Sequence, residues 1–414
     1  MGSVLVLIEK EMKYDFDEII DRQGTNSLSV EGWKQSIFGL DRDATFSWPD
    51  NDFIRMWVAD MDFATPPEVL EAVRKRVGQK ILGYTKVYEQ EYYDVLSAWF
   101  WKRFQWKIDL EHLVFAPGIV PALNQLVPLL IKSHEGILIN TPSYAPFKKA
   151  GDYSNRQVYY SRLLNKDGYY EMDYTDIIQQ LEDCSKNIKL FIFCHPHNPT
   201  GRVWTREELL RIGQVCLERD IWIISDEIHS DLLRSGQTHI PLAALFPEAE
   251  KLITCTAPSK TFNLAGSMMS HIFIPHVGIR KQWKQLYADY YSPLSIVATK
   301  AAYQEGEEWL EQLKIYLDDN FTYLQGRLKE LLPKAGFRVP EATYLAWIDV
   351  SAYIEEQPQK DDLAGIFVDK GLLVNDGKMF VDHGEGYIRL NIACPRSVLE
   401  KGIQRFADAL LNLG

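Results

Sequence analysis

The sequence predicts an α/β protein, with a large domain built on a mainly parallel sheet and a smaller α+β domain. The first reason is length, because 414 residues exceed what one hydrophobic core usually serves. The second is that apolar runs of strand length alternate with helical periodicity between about residues 110 and 300, as in βαβ units. The third is a change after residue 300 to long helices around short strands.

Four apolar segments are predicted as strands of the large sheet. They are rich in Ile, Leu, Phe and Val, which is typical of strands covered by helices on both faces. They cover residues 137–140, 189–194, 221–225 and 252–256. A helix is predicted over residues 205–219, because Thr205 and Glu208 form a capping-box pattern at its start.

The C-terminal segments complete the domain organisation that we expect. Helices are predicted over residues 305–334 and 396–413, and strands over residues 344–350 and 387–392. The expected parts are an N-terminal segment of residues 1–62 that belongs mostly to the small domain, a large domain of residues 63–300 and a small domain of residues 301–414.

Composition and charge favour a globular protein and argue against binding to nucleic acid or insertion into a membrane. Hydrophobic residues make up 46% of the chain and charged residues 25%, which are ordinary values for a folded domain. The formal net charge of −12 repels phosphate backbones and anionic lipids, so we expect no nucleic-acid partner. We also expect no membrane span, because no run of 18 apolar residues occurs.

Cysteine usage and the start of the chain predict a cytoplasmic protein. The five cysteines are scattered without a C-x-x-C pair, as is typical of a reducing compartment. The apolar run at residues 4–8 is too short for the core of a signal peptide, and charged residues follow it directly.

Polar side chains follow three of the predicted strands at the point where each strand ends. In chain order they are Asn198, Asp226, His229, Ser259 and Lys260. The carboxyl ends of parallel strands meet at one edge of a sheet, which is where ligands of open α/β proteins bind. We therefore expect these groups to lie together.

Lys260 and Asp226 suggest a particular chemistry. A desolvated lysine has a lowered pKa and acts as a nucleophilic amine. A carboxylate beside a pyridine nitrogen keeps that nitrogen protonated, which makes the ring an electron sink. Plainer interpretations remain: a solvated surface charge for Lys260, a helix N-cap for Asp226 and a simple turn for Asn198.

A metal site is a weaker alternative at the same edge of the sheet. His195, His197 and His229 lie close together in the sequence. No matching Cys or His pair lies at ligand spacing, however. We therefore expect no metal.

Six stretches together resemble the fold-type I enzymes that use pyridoxal 5′-phosphate (PLP), the aspartate aminotransferase superfamily. They are most similar to the MalY/PatB family of cystathionine β-lyases, also called carbon–sulfur lyases. They cover residues 14–22, 57–63, 196–204, 226–232, 257–266 and 389–396. The resemblance implies the PLP-dependent transferase fold, in which a mixed, mainly parallel sheet of seven strands lies between helices of a PLP-binding large domain.

The resemblance implies a role for each candidate site residue. Lys260 would hold PLP as a Schiff base and act as the catalytic base, while Asp226 pairs with the pyridine nitrogen. Asn198 would bind the ring hydroxyl and also the substrate. Tyr144 would stack on the ring, with ordinary core packing as its alternative. Arg389 would bind the substrate α-carboxylate through its bidentate guanidinium, with a surface salt bridge as its alternative.

The phosphate of PLP would be bound by Ser259 and by the backbone N–H groups of Gly118, Ile119 and Val120. These three residues lie at the start of a helix predicted over residues 120–132. The assignment also makes physical sense without the resemblance, because helix N-termini bind anions.

Two further residues bear on the oligomeric state and on the branch of the superfamily. Tyr84 matches a tyrosine that reaches the phosphate of the neighbouring subunit, so the resemblance implies a homodimer. His229, which we place among the cofactor-binding residues, stands where many aminotransferases have tyrosine, and the D-x-x-H form resembles the lyase branch.

The chain also departs from the family pattern. The connection from Thr25 to Trp57 is longer and more polar than usual, and Ala342 and Val381 stand at positions where glycine is usual. Residues 1–11 precede the resemblance, so Met12 is a candidate alternative start.

The activity implied by the resemblance is β-elimination from an L-amino acid with a sulfur leaving group, such as cystathionine, to give a thiol, pyruvate and ammonia. An aminotransferase of class I or II is the alternative, because it shares every step up to removal of the Cα proton. A binding or regulatory protein without turnover is a further alternative. The joint presence of Lys260, Asp226, Asn198 and Arg389 argues against it.

Overall fold

The computed structural model describes residues 12–286, 289–357 and 362–413. The apolar run at residues 4–8 lies outside the described residues. The strands are β1 (Ile54–Arg55), β2 (Leu113–Ala116), β3 (Gly136–Thr141), β4 (Val158–Arg162), β5 (Leu164–Lys166), β6 (Tyr169–Glu171), β7 (Ile188–Cys194), β8 (Trp222–Asp226), β9 (Leu252–Thr256), β10 (Ser270–Phe273), β11 (Leu345–Asp349), β12 (Leu372–Leu373), β13 (Asn375–Asp376) and β14 (Tyr387–Asn391).

Helices surround these strands along the whole described chain. In chain order they are α1 (Leu28–Glu31), α2 (Trp33–Phe38), α3 (Pro67–Val77), α4 (Gln90–Phe104), α5 (Ile119–Leu130), α6 (Ala145–Tyr153), α7 (Tyr174–Glu182), α8 (Arg206–Leu217), α9 (Leu242–Leu245), α10 (Pro258–Thr261), α11 (Val277–Leu286), α12 (Pro293–Glu305), α13 (Glu307–Leu331), α14 (Ser351–Ile354), α15 (Leu363–Val368) and α16 (Arg396–Leu411). Within the described ranges, none of them is long and apolar enough to cross a bilayer.

A mixed sheet of seven strands forms the centre of the molecule and confirms the predicted fold class. Its order is β2-β10-β9-β8-β7-β3-β4. Only β10 runs antiparallel to its neighbours, and the other pairs are parallel. The four predicted strands are β3, β7, β8 and β9, and every residue of these strands except Lys189 is buried. Because each fully buried Val, Leu, Ile or Phe side chain contributes about 1.5–3 kcal/mol, this layer is a main source of stability.

The helix predicted over residues 205–219 is α8, and its start explains its position. The Thr205 side chain accepts a hydrogen bond from the Glu208 N–H, and the Glu208 carboxylate accepts one from the Thr205 N–H. This reciprocal capping box satisfies two N–H groups that a helix start leaves free. The helix predicted over residues 120–132 is α5, which begins one residue earlier, with Gly118 as its N-cap.

A second, smaller sheet lies in the C-terminal part of the chain. It has the order β11-β14-β13, and its strands are antiparallel. The N-terminal segment joins the same region, because β1 pairs in parallel with β12. Arg389 lies on the central strand of this sheet. Val381, where the family usually has glycine, adopts φ +74°, a left-handed conformation that explains the usual preference for glycine.

Candidate active site

A cavity of about 210 Å³ opens at the carboxyl ends of the central strands of the large sheet. The loops after β7, β8 and β9 and the start of α5 form its wall. The predicted residues that line it are Gly118, Ile119, Val120, Tyr144, Asn198, Asp226, His229, Ser259 and Lys260. The structure therefore brings together nine of the eleven residues that the sequence predicted for the site.

Lys260 lies in α10, the single helical turn that follows β9, and this turn directs its side chain into the cavity. Its Nζ donates a hydrogen bond to the Ala59 carbonyl oxygen at 2.5 Å. Burial, together with the nearby positive charge of Arg389, lowers the pKa of Lys260 to about 8. A substantial fraction of neutral amine therefore exists near neutral pH, which a solvated surface lysine would not provide.

Asp226 ends β8 and is buried. A turn follows it, and its carboxylate accepts a hydrogen bond from the Ile228 N–H at 3.2 Å. Burial raises the pKa of Asp226 to about 7, because little in the chain compensates its charge. A cationic ligand atom beside it would favour the ionised form, and a protonated pyridine nitrogen is such an atom.

Arg389 is buried and held by neutral oxygen atoms. Its Nη1 donates to Asn198 Oδ1 at 3.1 Å, and its Nη2 donates to the Trp57 carbonyl oxygen at 3.0 Å and to Asn375 Oδ1 at 2.7 Å. Burial lowers the pKa of Arg389 to about 10, so the group remains charged at neutral pH. The surface salt bridge considered for Arg389 is wrong, because the side chain is buried and its hydrogen-bond partners are neutral.

The N-terminus of α5 provides backbone donors for an anion. The first N–H groups of a helix have no acceptor within the helix, and here they belong to Ile119 and Val120 beside the N-cap Gly118. A Cβ atom at Gly118 would lie 3.3 Å from Pro121 Cδ, a tight contact that glycine avoids. Ser259 lines the same cavity.

The family model for aminotransferases of class I and II matches residues 51–406. The chain belongs to this family. It is 36% identical over 404 residues to the cystathionine beta-lyase PatB of Bacillus subtilis strain 168, which covers 96% of this chain and 100% of that protein. This similarity agrees with the resemblance to the MalY/PatB enzymes.

Two solved structures are similar to this chain over almost its whole length. The PLP-bound C-S lyase from Staphylococcus hominis is 47% identical, with a TM-score of 0.92, and covers 97% of this chain and 99% of that one. Cystalysin from Treponema denticola, whose crystal structure contains PLP, is 32% identical, with a TM-score of 0.89, and covers 97% of this chain and 100% of that one.

The groups that line the cavity fit PLP, the cofactor that members of this family bind. Lys260 offers an amine that is partly neutral, and burial outweighs the charge of Lys260 and raises the pKa of the Asp226 carboxyl group. The start of α5 offers N–H groups to a phosphate. The wall also includes the ring of Tyr144, which is partly exposed toward the cavity and packs edge-on against Phe147 at 5.8 Å.

His229 is buried in the cavity wall, and its Nδ1 has no hydrogen-bond partner among the described residues. Burial, aided by the positive charges of Lys260 and Arg389, lowers the pKa of His229 to about 3. The imidazole is therefore neutral at physiological pH and can donate from one nitrogen and accept at the other.

Tyr84 does not line the cavity of its own subunit. Its side chain is 93% exposed, and its ring packs against that of Tyr290 at 5.2 Å between centroids. The contribution of Tyr84 to a neighbouring subunit stays a prediction.

The histidines considered as metal ligands have other neighbours. His195 Nε2 lies 3.2 Å from the Ile240 carbonyl oxygen, and His197 Nδ1 lies 2.8 Å from Thr200 Oγ1. Over residues 12–286, 289–357 and 362–413, no group of three or more His, Cys, Asp and Glu side chains is arranged to hold a metal ion.

Three contacts of the site were not found by sequence reasoning. The Ala59 carbonyl oxygen accepts from Lys260 and from the Tyr344 hydroxyl, the latter at 2.8 Å. Asn375 accepts from Arg389. A backbone carbonyl leaves no signal in side-chain patterns. Asn375, by contrast, lies in the same predicted small domain as Arg389 and could have been considered as its partner.

Proposed function

We propose that the protein is a PLP-dependent carbon–sulfur β-lyase of the cystathionine β-lyase type. The observation that carries the proposal is the cationic Arg389, whose hydrogen-bond partners among the described residues are neutral oxygen atoms and which lies close enough to Lys260 to lower its pKa. Such a guanidinium is suited to bind the carboxylate of an α-amino acid, and the partly neutral amine beside it is suited to remove the Cα proton. The similar proteins named above are lyases, which favours elimination over amino transfer.

Each residue would perform a defined task. Arg389 would bind the substrate carboxylate, and its neutral partners leave its charge available for that purpose. Lys260 Nζ would remove the Cα proton, since a pKa of about 8 suits a general base near neutral pH. PLP, when bound, supplies an electron sink for the charge that develops at Cα. Asp226 would keep a proton on the pyridine nitrogen.

The reaction balances with water as the one reagent besides the amino acid. Removal of the Cα proton supplies the electron pair that expels sulfur from Cβ, and the thiolate then takes up a proton. Water converts the remaining three-carbon amine into pyruvate and ammonia. Lys260 receives the proton from Cα and can return it to the leaving group, because both atoms belong to the same bound substrate.

We also propose a homodimer in which Tyr84 completes the site of the partner subunit, and a cytoplasmic location. The exposure of Tyr84 supports the first, and the five free cysteines support the second. The division into an N-terminal segment (1–62), a large domain (63–300) and a small domain (301–414) belongs to the same proposal. The pairing of β1 with β12 supports it for the described part of the N-terminal segment.

The proposed function is tested by incubating the PLP-loaded protein with L-cystathionine in the absence of any keto acid. We expect pyruvate and thiol in equal amounts, and no product from Lys260→Ala. Amino-group transfer that requires an added keto acid, without pyruvate, would replace the lyase by the aminotransferase. Absence of both products from all sulfur amino acids would reject the proposed function.

A further inference from the structure

Lys260 lies in α10, a helix of only four residues. A single helical turn is not stable by itself in water, because its first hydrogen bond fixes several backbone dihedral angles at once. The placement of Lys260 therefore depends on contacts between α10 and the rest of the protein. The next residue, Thr261, is buried, so such a contact lies directly beside the lysine.

The Thr261 side chain connects α10 to the segment that carries other groups of the site. Its hydroxyl donates a hydrogen bond to Asp231 Oδ2 at 3.0 Å. Asp231 is also buried, and it lies in the loop that follows Asp226 at the end of β8 and contains His229. This hydrogen bond therefore joins the turn of Lys260 to the loop after Asp226.

The other oxygen of the Asp231 carboxylate is paired with a positive charge. Arg103 Nε, from the last turn of α4, lies 2.9 Å from Asp231 Oδ1. Arg103 Nη1 also lies 2.7 Å from Glu311 Oε1 in α13. A buried carboxylate is costly unless it is paired, and Arg103 provides the opposite charge. The two oxygen atoms of Asp231 thus have separate partners, a cation for Oδ1 and the Thr261 hydroxyl for Oδ2.

We propose that Asp231 is a positioning residue that sets, through the Thr261 hydroxyl, the placement of Lys260 relative to Asp226. This proposal rests on the role that the proposed function gives to Lys260, but it does not require the reaction to be an elimination. Because Arg103 holds the carboxylate from one side, the carboxylate offers Thr261 an acceptor in a fixed position. Such supporting contacts keep a reactive group in its productive geometry.

Other contacts hold the chain after α10 and make the effect of Thr261 separable from folding. Phe262 is buried and packs against aromatic rings of α4, α12 and α13. The Asn263 side chain binds the backbone of residues 61–63. Loss of the Thr261 hydroxyl should therefore disturb the placement of Lys260 without unfolding the segment. The opposite interpretation is that this hydroxyl contributes only to stability.

The rate at which PLP becomes attached to Lys260 separates the two interpretations without turnover. Cofactor-free protein is mixed with PLP, the reaction is stopped with borohydride at timed intervals, and labelled Lys260 is quantified by peptide mass spectrometry. We expect the nearly isosteric Thr261→Val to lower the rate about tenfold, as for the loss of one hydrogen bond to a charged group. Thr261→Ser keeps the hydroxyl and should restore most of the rate.

Thr254→Val is the matched control. Thr254 is buried in β9, the strand before α10, and its hydroxyl has no hydrogen-bond partner among the described residues. This variant should react with PLP at the wild-type rate. An unchanged rate in Thr261→Val, or equal losses in Thr261→Val and Thr261→Ser, would overturn the proposal. A label on another lysine instead of Lys260 would reject the proposed role of Lys260 and this proposal with it.

Asp231→Asn separates the two tasks of the carboxylate. The amide can still form a hydrogen bond with the Thr261 hydroxyl, which both donates and accepts, but Arg103 loses its opposite charge. We expect a lower midpoint of thermal unfolding than in Thr261→Val, and a smaller loss of the PLP attachment rate. A loss of this rate in Asp231→Asn together with none in Thr261→Val would contradict an action through the hydroxyl.

Turnover provides a further readout in the PLP-loaded protein. Per loaded site, Thr261→Val should lower kcat and leave KM for the amino acid unchanged, because the contacts of Arg389 are not altered. A purely stabilising hydroxyl would change the loaded fraction but neither constant, and that result would count against the proposal. If no turnover occurs at all, the proposed function fails, while the attachment rate still decides the role of Asp231.

Discussion

At the scale of single residues, the candidate site contains the positive charge of Arg389, and the hydrogen-bond partners of Arg389 among the described residues carry no negative charge. Arg389 is buried and bonded to Asn198, Asn375 and the Trp57 carbonyl oxygen, all of which are neutral. Buried arginines are usually paired with carboxylates, because burying an unpaired charge is costly. Under the proposed function, a substrate carboxylate would supply the missing charge.

Asn375→Asp tests this arrangement with an almost isosteric change. The new carboxylate would pair with Arg389 and compete with the substrate carboxylate. We expect KM to rise about 10- to 100-fold with a smaller change in kcat. Asn51→Asp adds the same charge at an exposed position and should leave both constants unchanged. A fall in kcat at constant KM would show that Asn375 acts in another way.

The lowered pKa of Lys260 gives a pH-dependent prediction for the protein without cofactor. Burial lowers this pKa from 10.5 to about 8, so the neutral amine becomes the main form above pH 8. The rate of reaction with PLP should rise with pH and level off above about pH 8–9. N-acetyl-lysine, measured in parallel, should continue to rise toward pH 10, which corrects for the titration of PLP itself.

The strand pattern predicted the residues of the site that follow strand ends, and the resemblance added Arg389 from the small domain. Neither identified the Ala59 carbonyl oxygen or the Asn375 side chain. The parallel sheet determines the positions of Lys260, Asp226 and Asn198, and the apolar runs of the sequence predict this sheet. Ala59 reaches Lys260 from 201 positions away in the chain and contributes only a backbone oxygen. Such a contact depends on tertiary packing, which local patterns do not encode.

At the scale of secondary-structure elements, two glycines in helices allow the effect of side-chain packing on stability to be measured. Gly326 in α13 is exposed, and a Cβ atom there would have no neighbour within 4 Å. Gly213 in α8 is buried, and a Cβ atom would lie 2.2 Å from the Phe246 ring. The same substitution should therefore have opposite effects at the two positions.

We expect Gly326→Ala to stabilise the protein by about 0.5–1 kcal/mol, because alanine restricts the unfolded chain and favours the helix. Gly213→Ala should lower the midpoint of thermal unfolding, because the Phe246 ring has to move to accept the methyl group. Calorimetric scans of both variants provide the comparison. A higher midpoint for both would show that α8 has more space than its contacts indicate.

The elements that the sequence predicted are those with a strong local pattern. The strands β3, β7, β8 and β9 are continuous apolar runs, and α8 has a capping box. By contrast, β10 (Ser270–Phe273) begins with serine and histidine, although all four of its residues are buried. Its identity as a strand depends on pairing with β2 and β9, which a local pattern cannot reveal.

At the scale of the whole molecule, the single subunit explains most of the proposed site but not the position of Tyr84. This side chain is 93% exposed, and Ile81, Leu82 and Tyr88 close to it are also exposed. A group of exposed apolar side chains is typical of an interface. We therefore expect these residues to be covered by a second subunit related by twofold symmetry.

Mixing two inactive variants tests whether the site is shared between subunits. Tyr84→Ala and Lys260→Ala should each have little activity as separate dimers. In a hybrid dimer, the subunit that retains Lys260 would receive Tyr84 from its partner, so one site is intact. Random reassortment should therefore restore about a quarter of the wild-type activity.

The same experiment excludes the alternative arrangement. If Tyr84 served the site of its own subunit, the hybrid would contain one site without Tyr84 and one without Lys260, and mixing would restore nothing. Reassortment can be followed independently by mass spectrometry of the intact dimers, so that failure to exchange subunits is not mistaken for failure to complement. Restored activity that tracks the hybrid fraction would establish that each site is built from two chains.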